Sequence, residues 1–105
     1  MALSGKKLGI LVSVAPDAPN FHHALGAAGA AIDAGVVVYL YCIDEAVRGV
    51  GHPDLQALRG RGLILYACAY GAHRREIPLT DHATFAGLTV VNDLMAATDR
   101  FLSFN

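Results

Sequence analysis

Three short runs of apolar residues recur along the first part of the chain. They are Leu8–Val14, Val36–Cys42 and Leu63–Ala67, and each is nearly continuous instead of alternating with polar residues. Such runs are typical of strands that are covered on both faces, as in parallel sheets. We therefore predict three parallel central strands, with a short final strand over Asp99–Phe104.

A first helix is predicted between the first two strands. The segment Phe21–Ala34 is rich in Ala and Gly, with Asn20 as its expected N-cap and Gly35 as its C-terminal cap. Small side chains let a helix lie close to a sheet or to a neighbouring helix.

Two more helices are predicted further along. Asp54 is expected to cap a short helix through Leu58, and Gly87–Thr98 carries apolar residues at helical spacing. We interpret Asp44–Val50 as a loop or a single turn and Glu76–Ala86 as a loop. Because strands alternate with helices, the predicted fold class is α/β, a three-layer α/β/α sandwich with a mainly parallel sheet and a single domain over residues 1–105.

The composition is apolar for so small a chain. Hydrophobic residues make up 54% of it, charged residues 16%, and the mean hydropathy is +0.42. A small domain with few charges cannot cover itself with polar surface, so we expect part of its apolar surface to form a homo-oligomer interface. The formal net charge of −1 supplies no basic field, and nucleic-acid binding is not expected.

The compartment is predicted from the absence of targeting patterns. The polar, basic segment before Leu8 does not resemble a signal peptide. The stretch Ala24–Leu40 contains Asp33 and many Ala and Gly residues, so no membrane span is expected. A cytoplasmic location follows as the expectation, with Cys42 and Cys68 reduced.

Cys68 is the strongest candidate for chemistry. It falls where the third strand should end, and Gly71 and Ala72 can open a short helix that Pro78 stops. A thiol at such a turn lies near unpaired backbone N–H groups, and a basic run adds positive charge. The run consists of His73, Arg74 and Arg75. Both features favour the thiolate, which is the reactive form.

The alternative is that Cys68 is a small core residue, since free Cys is among the most buried residue types. Cys42 also ends a strand, but Asp44 and Glu45 follow it. Nearby negative charge raises the pKa of a thiol, so Cys42 is predicted to be the less reactive cysteine.

The sequence favours a metal site and an acyl-transfer site less than a reactive thiol. The adjacent residues His22 and His23 point about 100° apart on a helix and do not easily share one ion, and no Cys-x-x-Cys motif is present, so we expect no metal and no cofactor. A Cys68–His73 pair for acyl transfer lacks a marked third residue and oxyanion hole.

Ligands of parallel α/β sheets bind at the carboxyl ends of the strands. That edge should bring together the loop at Pro16–Asn20, the turn at Asp44 and the Cys68 segment. The candidate site is Cys68 as the reactive group, with Tyr70, Gly71, His73, Arg74, Arg75, Asp44 and His22 as supporting or pocket residues.

The order of these features resembles the DsrE/DsrF-like (DsrE/TusD-type) sulfur-relay family over essentially the whole chain. The most specific part is Cys68 followed by small residues and Arg74-Arg75, although Glu76 stands where the family often has Gly. The remaining matches are the segments Leu8–Pro19, Ala24–Val38, Asp44, Gly87-Leu88, Leu94 and Asp99–Phe104.

The resemblance implies a five-stranded sheet and a trimer or hexamer. It also implies that Cys68 accepts sulfane sulfur as a persulfide from a donor protein and passes it to the thiol of an acceptor protein. The alternative that remains open is a non-catalytic oligomeric ligand-binding or scaffold subunit of the same fold.

Overall fold

Five strands form one sheet in the computed structural model, which describes residues 2–105. The strands are β1 (Lys7–Val12), β2 (Val37–Cys42), β3 (Ile64–Cys68), β4 (Thr84–Ala86) and β5 (Arg100–Phe104). Their order is β4-β3-β2-β1-β5, and every pairing is parallel. The predicted α/β class and the three parallel central strands are confirmed.

Within the described residues, four helices cover the sheet. They are α1 (Pro19–Asp33), α2 (Pro53–Gly60), α3 (Ala69–Arg74) and α4 (Thr89–Ala97), and a 3₁₀ helix spans Asp44–Gly49. The connections through α1 and α2 run in one direction along the sheet, whereas α4 returns from β4 to β5. Because such crossovers are right-handed, α4 lies on the opposite face from α1 and α2, which gives the three layers. No helix within residues 2–105 is long and apolar enough to cross a membrane.

The two faces of the sheet are covered unequally. On the α1 side, register partners Ile10 and Leu40 are fully buried. On the other side, α4 packs against β1 and β5, while Tyr39 and Tyr66 are half-buried and Ile64 is 37% exposed. We call the surface formed by Tyr39, Ile64 and Tyr66 the open face.

Two segments predicted as loops contain regular structure. Thr84–Ala86 pairs with the end of β3 as an edge strand, and Asp44–Gly49 forms the 3₁₀ helix. A three-residue edge strand depends on its partner and not on local apolar periodicity, so the Glu76–Ala86 prediction was wrong at its carboxyl end.

The two predicted N-caps, Asn20 and Asp54, were also wrong, each by two positions. Pro19 and Pro53 occupy the first helical turn, where a residue without an N–H is tolerated, so the caps are Ala18 and His52. His52 Nδ1 accepts the backbone N–H of Asp54 at 3.1 Å.

Three helices end in the same backbone motif, in which the residue after the C-cap has a positive φ. That residue is Gly35 after α1, Gly62 after α2 and Glu76 after α3, with φ of +82°, +110° and +54°. After α3, the N–H of Glu76 donates to His73 and the N–H of Ile77 donates to Ala72, which is the Schellman pattern. The predicted cap at Gly35 is confirmed, and the departure at Glu76 falls where a glycine would relieve backbone strain.

We expect Glu76→Gly to raise the free energy of unfolding by about 0.5–1 kcal/mol, because glycine adopts this φ without a Cβ clash. Urea unfolding at one protein concentration measures the change. Glu76→Ala removes the same carboxylate but keeps the Cβ, so it should bring no such gain. An equal gain in both variants would assign the effect to charge.

Candidate functional site

Cys68 lies at the carboxyl end of β3 and serves as the N-cap of α3. Its Sγ accepts the backbone N–H of Gly71 at 3.3 Å, and the residue is 5% exposed. A side chain that accepts from the third helical N–H satisfies a donor that the short helix cannot pair internally. The helix therefore begins at Ala69, two residues before the predicted start.

A cleft of about 420 Å³ opens beside Cys68, at the carboxyl ends of β2 and β3 and beside the residues that follow β4. Its walls combine apolar side chains with charges of both signs. The lining residues are Ile43, Asp44, Glu45, Cys68, Tyr70, Gly71, Arg74, Arg75 and Leu88. Six of the eight predicted site residues therefore meet here.

Two of the charged side chains that line the cleft, Glu45 and Arg75, form an ion pair. Arg75 Nε donates to Glu45 Oε2 at 2.5 Å, and Arg48 Nε donates to Glu45 Oε1 at 2.8 Å. The hydrogen bonds from Arg75 and then from Arg48 lower the pKa of Glu45. The guanidinium of Arg74 lies 5.9 Å from the centre of the Tyr70 ring. The positive charge of Arg75 is thus compensated locally by Glu45.

Asp44 contributes backbone strain to the cleft wall. Its φ is +51°, a left-handed conformation that Asp tolerates better than most side chains. Strained residues of this kind cluster at functional sites. The turn at Asp44 was predicted for the site, and the structure places it there.

Two predicted residues lie outside the cleft. His22 is exposed, with its ring 5.8 Å from Phe21 and 5.7 Å from His52 between centroids. Phe21 points into the core, so the next residue along α1 points away. His73 is exposed and faces a separate surface depression with Glu76.

The loop at Pro16–Asn20 is also absent from the cleft lining. Pro16 and Phe21 instead crowd Gly49 at the far end of the 3₁₀ helix, where a Cβ would approach Phe21 Cζ to 2.6 Å. No group of three or more His, Cys, Asp or Glu side chains within residues 2–105 could hold a metal ion.

The two cysteines point to opposite faces of the sheet. Cys42 pairs in register with Ala67, and side chains alternate along a strand, so the next residue, Cys68, faces the other way. Both thiols are free. Burial alone raises the pKa of Cys42 to about 12. A raised pKa was predicted for Cys42, but its cause is desolvation and not the charge of Asp44 and Glu45.

Sequence reasoning missed four residues of the site region. Ile43, Glu45 and Leu88 line the cleft, and the fully buried Tyr41 lies beneath it. Glu45 could have been suspected because it follows a strand end at the ligand-binding edge. Tyr41 carries the weaker signal of a hydroxyl within an otherwise apolar strand, which requires a buried hydrogen-bond partner.

Comparisons with known proteins give a structural neighbour and no family. No family model and no curated protein sequence matches the chain. The chain is similar to the crystal structure of the ychN protein from E. coli, with a TM-score of 0.82 and 18% sequence identity. The alignment covers 94% of this chain and 99% of that chain. This likeness shows the shared α/β fold.

Proposed function

We propose that the protein is a small cytoplasmic sulfur carrier of the DsrE/DsrF-like type, in which Cys68 takes up sulfane sulfur as a persulfide. The observation that supports this most is the position of Cys68. Cys68 lines a cleft at the carboxyl edge of a parallel sheet, and its Sγ accepts the backbone N–H of Gly71. The anionic form of a thiol is the nucleophile in thiol exchange.

The transfer is two thiol-exchange steps. The Cys68 thiolate attacks the outer sulfur of a donor persulfide, so that a new S–S bond forms at Cys68 and the donor leaves as a thiolate. An acceptor thiolate then attacks the outer sulfur on Cys68, the S–S bond to Cys68 breaks, and the Cys68 thiolate is restored. One neutral sulfur atom moves in each step, so no external oxidant or reductant is needed.

The cleft is suited to contact with another protein's cysteine segment. It is shallow enough that Tyr70 and Leu88 remain 66% and 58% exposed at its edge. Exposed aromatic and aliphatic side chains beside paired charges are typical of protein contact surfaces. Sulfur donor and acceptor proteins are therefore the proposed partners.

We further propose that the protein is a homo-oligomer, a trimer or a hexamer. Parallel sheets are normally covered on both faces, whereas the open face leaves Ile64 exposed between Tyr39 and Tyr66. A second copy of the chain would supply the missing cover.

The second candidate is a scaffold subunit in which Cys68 is passive. The 5% exposure of Cys68 and the exposed apolar side chains favour it. The two candidates differ in whether Cys68 can hold sulfur.

Incubation with a low-molecular-weight persulfide donor tests the proposal. Intact-mass spectrometry should show a gain of about 32 Da, the mass of one sulfur atom, that a reducing thiol removes. Cys68→Ser should gain nothing, and the matched variant Cys42→Ser should still gain one sulfur. Sulfur loading that persists in Cys68→Ser, or no loading of the wild type, would leave the scaffold as the better account.

A further inference from the structure

The side chain of Tyr41 extends along one face of the sheet, across β3, towards Cys68. Tyr41 belongs to β2 and pairs in register with Tyr66 of β3, while Cys68 of β3 pairs with Ala86 of β4. The Tyr41 hydroxyl donates towards the Ala86 carbonyl at 2.9 Å. To reach β4 from β2, the ring must pass over β3 on the face that carries Tyr66 and Cys68. The hydroxyl therefore lies beside the Cys68 side chain.

The hydroxyl is buried and has more acceptors than protons. Tyr41 is 0% exposed, and its single O–H lies 2.9 Å from the Ala86 carbonyl and 3.1 Å from the Gly87 carbonyl. The Gly87 carbonyl also accepts the N–H of Val90. Turning the O–H away from Gly87 therefore leaves that carbonyl with a partner.

Tyr41 stays protonated, so its hydroxyl can donate a hydrogen bond but does not release its proton. Burial, as the largest cause, raises the pKa of Tyr41 far above its ordinary value, and the nearby Cys68 sulfur raises it further. The phenol keeps its proton throughout the neutral range. A buried neutral O–H can stabilise an adjacent sulfur anion without giving up its proton.

We propose that Tyr41 is the buried hydrogen-bond donor to the Cys68 sulfur, turning its hydroxyl from the Ala86 and Gly87 carbonyls to the anion when the thiol ionises or carries sulfur. The second donor would be the backbone N–H of Gly71, which already contacts Sγ. The inference deepens the proposed function because it concerns the same thiol. Only the part of the inference that concerns the persulfide form of Cys68 rests on the proposed function.

The pH dependence of Cys68 alkylation tests the inference without any sulfur donor. Iodoacetamide labelling of Cys68, followed by peptide mass spectrometry, should give a rate profile whose midpoint moves up by about one pH unit in Tyr41→Phe. Below the midpoint this is a loss of about tenfold in rate. Tyr66→Phe is the matched control, because its ring stacks on Tyr41 with centroids 6.4 Å apart.

An unchanged midpoint in Tyr41→Phe, or a midpoint moved to lower pH, would overturn the inference. The latter result would mean that the hydroxyl accepts from the neutral thiol. If Tyr41→Phe does not fold, the wild type labelled with ¹³Cζ-tyrosine serves instead. Its Tyr41 signal should shift through the Cys68 midpoint and stay constant in Cys68→Ala, and a constant wild-type signal contradicts the inference. If the wild type does not load sulfur but the alkylation midpoint still moves up in Tyr41→Phe, the proposed function is overturned and the inference about Tyr41 stands.

Discussion

In the folded protein, iodoacetamide should alkylate Cys68 about a hundred times faster than Cys42, or more. Cys42 is 0% exposed, and burial raises its pKa to about 12. At pH 8 a thiol with that pKa is ionised to only about one part in ten thousand, whereas an ordinary thiol near 8.5 is ionised to about a quarter. Cys68, by contrast, borders an open cleft.

The raised pKa of Cys42 also determines how its alkylation rate depends on pH. Its thiol stays protonated at every pH below about 12, so raising the pH from 7 to 9 should leave it almost unlabelled in the native protein. Labelling in denaturant is the control, since both thiols should then react at similar rates. Comparable native rates for the two cysteines would show that the cleft gives Cys68 no advantage.

Light scattering at micromolar concentration should give a mass three or six times the 11.0 kDa of the chain. Parallel sheets are normally covered on both faces. On the open face, however, Ile64 lies in register with Tyr39 and is 37% exposed, so a second chain is expected to cover it. A contact that buries this face would remove apolar area from water at roughly 25 cal/mol per Å².

The variant Ile64→Glu should reduce the mass to that of one chain, because an interface would have to bury an unpaired carboxylate. Leu79→Glu is the matched control. Leu79 is 65% exposed and belongs to the segment between α3 and β4, which is not one of the strands that form the open face. A wild type of 11.0 kDa at this concentration would refute the oligomer, and an Ile64→Glu assembly of unchanged mass would place the interface elsewhere.

Local sequence patterns determined the framework of the molecule. The apolar runs predicted β1, β2 and β3, and the small-residue segment ending at Gly35 predicted α1 and its C-terminal cap. These features depend on neighbours within a few residues, because backbone periodicity and glycine conformation are local properties. The position of Cys68 at a strand end is equally local, so the candidate nucleophile could be identified before the fold was known.

Only the tertiary structure decided which side chains surround Cys68. Glu45 pairs with Arg75, thirty positions further along the chain, and this ion pair compensates a positive charge that was predicted from the sequence to act on the thiol. The hydroxyl of Tyr41 reaches the carbonyl of Ala86 across an intervening strand. Strand order and register set both contacts, and neither follows from local periodicity. Long-range pairing with β3 also creates β4, whose three residues are too short a run to predict a strand by themselves.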